Sequence, residues 1–491
     1  MANIRELRHY YGGSWNGSKS ADFADIFNPA TGETLARAPL AGKDDVNAAV
    51  AAAAAAYPGW RRTPPEDRIQ FLFKLKQILE DHIEELAQIC TQENGKTVGE
   101  SRAELRRAIE NVEVACGIPI LMQGYNLEDV ASGIDEMMIR QPLGVTVAIT
   151  PFNFPAMIPF WFLPYAIACG NTFILKASEK VPLTMQRAFE LMEGLNLPPG
   201  VLNLIHGGKM AVDTLLQHTE VRAISFVGSS PVAKYIYAEA AKYGKRVQCQ
   251  GGAKNHVLIL PDADLETTTR IVSDSAFGCA GQRCLAVSVA ITVGEARNEF
   301  NQEIAKVASS IRVGNGLDKD VQMGPVITQD SQKRIEKLIA AGVNDGAKVL
   351  LDGRSGNGTP AGGNFLKPTL LDGVPAASAL TNTEIFGPVL SLVHAKTLDE
   401  GIETLSRSPF GNMASIFTSS GAAARKFCYE VPAGNIGINI GVAAPMAYFP
   451  FSGWRDSFLG VLHGQGRDAV EFYTDKKVVV ERWPKEWSRK F

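Results

Sequence analysis

Four short apolar runs between residues 145 and 228 limit what this chain can become. They are VTVAIT (145–150), NTFILK (171–176), VLNLIH (201–206) and AISFVG (223–228). Each is six residues long, mostly apolar on both alternating faces, and bounded by Gly, Pro or Asn. Such runs read as strands buried on both sides of a sheet. A helix is expected from about Pro155, and TMQRAFELMEGL (184–195) reads as another. Strands alternating with helices predict a parallel sheet with right-handed crossovers, a Rossmann-like, doubly wound unit. The fold class is α/β.

The flanking sequence extends this frame. Residues 9–40 read as short strands around a turn at NPATGE (28–33). From Asp44 the chain turns helical: AAVAAAAAAYPGW (48–60) is expected to break at Pro58-Gly59, and a second helix starts near TPPEDR (63–68). A second α/β pattern begins near HVLIL (256–260) and runs past 430, so two α/β domains with a cleft between them are expected. VEFYTDKKVVVERW (470–483) alternates like a strand.

Charge and composition narrow the function classes. The 491 residues carry 49 basic and 52 acidic side chains, a net charge of −3, which calls for neither nucleic acid nor an anionic membrane. AMIPFWFLPYAIACG (156–170) is too short to span a bilayer and holds two prolines. The seven cysteines and seven histidines show no metal-ligand or disulfide spacing, so no metal is expected and the thiols are read as reduced. A cytoplasmic location is expected, or a mitochondrial matrix one if a presequence has been removed.

No GxGxxG follows any of the strands, so phosphate binding must be arranged otherwise. FVGSS (226–230) offers a strand, a Gly-Ser turn and a helix start, whose free N–H groups can hold a pyrophosphate. KASEK (176–180) puts Lys176 and Glu179 at the carboxyl end of a strand, where a carboxylate can bind ribose hydroxyls and disfavour a 2′-phosphate. In TPFNFP (150–155), the Asn153 amide can donate to a developing oxyanion. Each has a plainer reading: a helix cap, a solvated charge pair, a turn. FGCAGQRCLA (277–286) holds two cysteines. Cys284 follows Arg283, whereas Cys279 sits among Phe, Gly and Ala, so local charge favours Cys284 as a reactive thiol.

TPFNFP, KASEK, FVGSS, GGAKN, FGCAGQRC and EIFGPV occur together, in this order. As a set they resemble the NAD(P)-dependent aldehyde dehydrogenase superfamily over nearly the whole chain. The resemblance implies a Rossmann-like NAD-binding domain (1–120 and 141–251), an α/β catalytic domain (252–450) and a small β oligomerisation segment (121–140 and 468–491). It implies that Cys284 is the nucleophile, with Asn153 and the Cys284 N–H stabilising the oxyanion. Thr150, Phe152, Lys176, Glu179, Ser229, Glu384 and Phe386 would line the NAD site.

One departure is informative. Where hydrolytic members carry a glutamate that activates water, QGGAK (250–254) has Gln250, and a neutral amide is no general base. AKNH (253–256), PDAD (261–264), AGQRC and RAIENVE (107–113) are similar to the CoA-acylating methylmalonate-semialdehyde dehydrogenases. That similarity implies oxidation of methylmalonate or malonate semialdehyde, loss of CO₂, and transfer of the acyl group to coenzyme A. Arg107 and Arg283 would clamp the substrate carboxylate, and Arg283 would also lower the Cys284 pKa. The alternative is a hydrolytic enzyme acting on another acidic aldehyde. Cys279, Gly251 and the segment 452–466 depart from the group's usual pattern. A homo-oligomer, dimer or tetramer, is implied.

Overall fold

The structure, a computed structural model, describes residues 4–356, 358–375 and 378–483. Its first large sheet has eight strands in the spatial order 458–459, 246–250, 221–227, 145–149, 172–176, 202–205, 9–11 and 14–16. The five strands between 145 and 250 are parallel. The chain winds outward from Val145–Ile149 through 172–176 and 202–205, then returns to the other side with 221–227 and 246–250. The switch point therefore lies between 145–149 and 221–227, and loops at the carboxyl ends there are where ligands bind in such sheets.

The second large sheet has seven strands, ordered 348–351, 369–372, 389–395, 287–293, 255–259, 413–417 and 435–438, all parallel except the first. Residues that precede its strands, such as Gln282 and Phe386, meet residues that follow a strand of the first sheet, Asn153 and Phe152. The cleft is thus built from the carboxyl ends of one sheet and the amino ends of the other.

Four N-terminal helices pack along the first sheet and the cleft: α1 (Lys43–Trp60), α2 (Pro65–Asp81), α3 (Ile83–Asn94) and α4 (Val98–Ala115). The alanines of α1 have a use: Ala49 and Ala53 are wholly buried in one cluster with Val147 and Ile174, where small side chains let the helix lie close to the sheet. This helix does not break at Pro58-Gly59 as expected. It runs to Trp60, whose buried indole N–H donates to the Ile167 carbonyl (3.0 Å). Pro58 removes one N–H in the last turn, and burial of the indole holds that turn in place.

The third sheet is antiparallel: 474–482 pairs with 134–142, which pairs with 125–131. The strand expected over 470–483 begins late. Val470 to Phe472 end a helix, Gly466–Phe472, because Ala469, Val470, Phe472 and Tyr473 are all buried and only the residues beyond them alternate. Arg246 gathers the carbonyls of Phe472 and Thr474 (2.8 Å each) where the helix ends. Of the bridging segment expected over 468–491, residues 484–491 lie outside the described residues. Among the described residues, no helix is long and apolar enough to cross a membrane, and no cluster of His, Cys, Asp and Glu could hold a metal ion.

The departures at 251 and 452–466 explain each other. Phe458–Leu459 adds an antiparallel edge to strand 246–250, and the chain before it lies over Gly251. A Cβ at 251 would stand 2.7 Å from the Asp456 carbonyl and 2.8 Å from Ser230 Oγ, so a larger residue is excluded.

Candidate active site

A cavity of about 370 Å³ opens in the cleft. Cys279, Arg283 and Cys284 line one side. Glu100, Glu104, Arg107 and Asn111 of α4 line another, and Trp161 and Phe451, 4.5 Å apart between ring centroids, form an aromatic wall. The spacing 100, 104, 107, 111 is one stripe of an α-helix, so a single helix face forms this wall.

Cys284 is partly buried. Its carbonyl accepts from the side-chain amides of Asn255 and Asn412 (2.8 Å each), which fixes the backbone that carries the thiol. Asn153 reaches the same loop, its Nδ2 donating to the Gln282 carbonyl (3.0 Å). Just upstream, Cys279, Ala280 and Gly281 all have positive φ (50°, 53° and 70°), a left-handed turn that costs about 1–2 kcal/mol for each residue with a Cβ. Gly281 is required there, since a Cβ would stand 2.1 Å from the Gly387 carbonyl.

Glu100 holds this strained turn. One of its oxygens accepts from the Thr97 N–H (2.9 Å) and closes the capping box of α4; the other accepts from the Cys279 N–H (2.6 Å) and from Arg283 Nη2 (3.0 Å). Arg283 Nε also donates to Cys279 Sγ (3.2 Å). Arg283 does lower the Cys284 pKa, as expected, but its pull is the weakest of those acting on the thiol. Its guanidinium turns to Cys279 and Glu100, burial dominates at Cys284 with Glu384 adding to it, and the thiol is pushed up to about 12. Burial also raises Cys279, to about 11. Sequence adjacency overstated the effect because a long side chain delivers its charge several ångströms from its own backbone.

Arg107 lines the same cavity from α4. Nη1 donates to Glu110 (2.7 Å) and approaches Met446 Sδ, and Nη2 lies 3.4 Å from the Ala444 carbonyl. Gln250 does not line this cavity. It is buried at the end of strand 246–250, with its amide 3.4 Å from the Phe451 carbonyl.

The other candidates gather on the far side of the cleft. Thr150 follows strand 145–149, and its N–H donates to the Lys176 carbonyl (3.1 Å). Lys176 pairs with Glu179 (3.0 Å). Burial opposes the Glu179 charge, but Lys176 and a backbone N–H outweigh it and hold the carboxyl below its usual range. Ser229 is the N-cap of helix Ser230–Lys242, and its hydroxyl makes no capping bond. Phe152 meets Phe386 edge-on across the cleft, with centroids 5.8 Å apart. Phe386 itself is left-handed, φ 54°, and Arg334 grips the carbonyls of Glu384 and Ile385 beside it. Glu384 accepts from the Ala253 N–H (2.8 Å), and burial pushes its carboxyl up to about 6.

Sequence reasoning passed over Lys96, Glu100, Glu104, Lys254, Asn255 and Asn412. For Glu100 a signal existed: Thr97-x-x-Glu100 is a capping-box pattern, although that pattern speaks only for the helix end.

Two largely parallel sheets face each other end to start, with a partly buried thiol and an amide at the seam, the layout of an enzyme that works in the cleft between two α/β domains. Residues 15–479 match the aldehyde dehydrogenase family, and the chain belongs to it. It is 48% identical to malonate-semialdehyde dehydrogenase 2 of Geobacillus kaustophilus over 98% of this chain and 99% of that one. Among solved structures it is similar to a Sinorhizobium meliloti protein in complex with NAD (41% identity, TM-score 0.97, covering 99% and 100% of the two chains). It is also similar to the methylmalonate-semialdehyde dehydrogenase of Oceanimonas doudoroffii (40% identity, TM-score 0.96, covering 98% and 99%).

Proposed function

We propose that this protein is an NAD-dependent semialdehyde dehydrogenase that oxidises malonate or methylmalonate semialdehyde through a Cys284 thioester and passes the acyl group to coenzyme A. One observation carries the choice of acceptor: among the described residues that line the cavity, no carboxylate is free to activate water. Glu104 accepts from the Ala156 and Met157 N–H groups and from Lys96 and Cys90, Glu100 holds the Cys279 turn, Glu110 pairs with Arg107, and the position usual for a base is the amide Gln250.

The donor set of the cleft fits a dinucleotide. Glu179 and Glu384 suit two ribose diols, and Ser229 with its helix N-terminus suits the phosphates between them. Thr150, Phe152, Lys176 and Phe386 complete that wall. NAD bound there supplies the hydride acceptor. Cys284 sulfur, as thiolate, forms a bond to the aldehyde carbon, and the carbonyl electrons move onto oxygen. Asn153 Nδ2 and the Cys284 N–H hold that oxyanion. Loss of hydride leaves the thioester, and the thiolate of coenzyme A displaces Cys284 from it. The substrate carboxylate, clamped by Arg107 and Arg283, departs as CO₂, and the carbon that bore it takes up a proton.

In this reading residues 1–120 and 141–251 form the cofactor domain and 252–450 the catalytic domain. Residues 121–140 and the strand from 474 bridge subunits of a dimer or tetramer. The exposed Tyr125, Leu127, Val478 and Val480 on the third sheet support an interface there. The free state of all seven cysteines suits the cytoplasm.

Purified protein should be mixed with NAD and either semialdehyde, with and without coenzyme A. NADH should form only with coenzyme A, and mass spectrometry should find acetyl-CoA or propionyl-CoA. Rapid turnover to a free acid without coenzyme A would overturn the choice of acceptor.

A further inference from the structure

The loop that carries Asn153 is held from below by a buried ion pair that the catalytic scheme does not use. Lys96 lies in the short turn between α3 and α4, and Glu104 in the second turn of α4; both are 2% exposed. Lys96 Nζ donates to Glu104 Oε2 and to the backbone carbonyl of Asn153 (2.6 Å). It also lies 4.5 Å from the centroid of the Phe154 ring. The other Glu104 oxygen accepts from the N–H groups of Ala156 (2.7 Å) and Met157 (2.9 Å). Asn94, from the end of α3, donates to the Phe152 carbonyl (2.8 Å). The backbone on both sides of Asn153 is thereby tied to one helix–turn–helix.

Charge burial of this kind is costly, and an apolar pair of similar size commonly serves stability as well or better. Its geometry points to another use. The Lys96 ammonium has one partner that neutralises it and a second, the Asn153 carbonyl, that fixes a backbone position. Glu104 does the same for the N–H groups of Ala156 and Met157. An amide that must meet a developing charge within a few tenths of an ångström needs a backbone that does not move.

We infer that Lys96 and Glu104 are positioning residues for the oxyanion donor, acting through the backbone of residues 153–157. The inference rests on the oxyanion role proposed above for Asn153.

The test is a double-mutant cycle on the full-length protein with NAD, semialdehyde and coenzyme A. Lys96→Met/Glu104→Gln removes both charges together, so no lone ion is left buried, and the glutamine carbonyl still accepts from Ala156 and Met157. Asn153→Ala should lower kcat about 10²–10³-fold, the loss typical of one oxyanion donor. The Lys96→Met/Glu104→Gln variant should lower kcat about tenfold or more while KM for NAD stays within about twofold. Placed on the Asn153→Ala background, the same pair of changes should cost less than about twofold further, because the donor they position is gone. Loss by the same factor on both backgrounds would overturn the positioning role and leave the function standing. So would a pair of changes without effect on kcat. Full activity in Asn153→Ala would instead overturn the oxyanion assignment, and the inference with it.

Discussion

Two lysines at the cleft are entirely buried, and their surroundings are opposite. On the α4 side, burial works against the Lys96 charge, but the Glu104 carboxylate outweighs it and holds the ammonium above its ordinary range. At the start of the second sheet, Lys254 Nζ has no hydrogen-bond partner among the described residues. Burial lowers it to about 7 against the pull of Glu384, which is itself raised to about 6. One wall of the cleft is fully wired before any ligand arrives. The other keeps an amine and a carboxylic acid whose charges change near neutral pH. Burial alone decides neither case; the partner within reach does.

The largest test of this contrast is stability. Lys96→Met leaves Glu104 buried without its counter-charge and should cost about 3–5 kcal/mol. Lys254→Met removes an unpartnered amine at similar volume and should leave the urea midpoint unchanged or raised. Equal losses would break the comparison.

The two arginines sharpen it through substrate binding. Arg107→Ala should raise KM for an acidic aldehyde far more than for a neutral one of the same size, by about 2–3 kcal/mol in kcat/KM. Arg283→Ala should weaken the acidic substrate too, but it also releases Glu100 and Cys279, so kcat should fall with both aldehydes. Steady-state kinetics on the pair would settle it; identical profiles for the two variants would remove the distinction.

The pH dependence of stability isolates Lys254. Its folded pKa, about 7, lies below the unfolded 10.5, so between these values the unfolded chain binds more protons and stability climbs as pH rises. At its steepest the contribution is about 1.4 kcal/mol per pH unit. Lys254→Met should flatten that climb in denaturation measured from pH 7 to 9.5, and an unchanged slope would rule out the depressed amine.

The last test is at the nucleophile. With the thiol at about 12, alkylation of Cys284 by iodoacetamide in the protein alone should rise about tenfold per pH unit from 7 to 9 and show no plateau. A plateau near pH 8, followed by peptide mapping, would mean a thiolate already stabilised.

Much of the fold is legible in the sequence because buried parallel strands announce themselves by unbroken apolar runs, and the strands expected at 145–150, 171–176, 201–206 and 223–228 lie where the periodicity puts them. Two boundaries are not. Pro58 stays inside its helix because Trp60 is anchored beyond it, and 470–472 are helical because Val470 and Phe472 are buried together with Ala469 and Tyr473. The edge strand Phe458–Leu459 is two residues long and carries no pattern of its own.

The candidate residues divide the same way. Side-chain chemistry makes candidates of Cys284, Asn153, Lys176 and Glu179, and the ordered motifs, by their resemblance to a family, single these out and add Glu384 and the two arginines; a thiol, an amide, a carboxylate and a guanidinium keep their chemistry wherever they fold. What each one touches is decided only in three dimensions. Arg283 meets Glu100 from 183 residues away, Glu104 reaches Ala156 across 52, and Cys284 owes its raised pKa to burial by segments far along the chain. Helix caps, strand periods and motifs are short-range properties that a sequence states directly. Desolvation and the pairing of charges depend on which surfaces are pressed together, and those are fixed when the whole chain has folded.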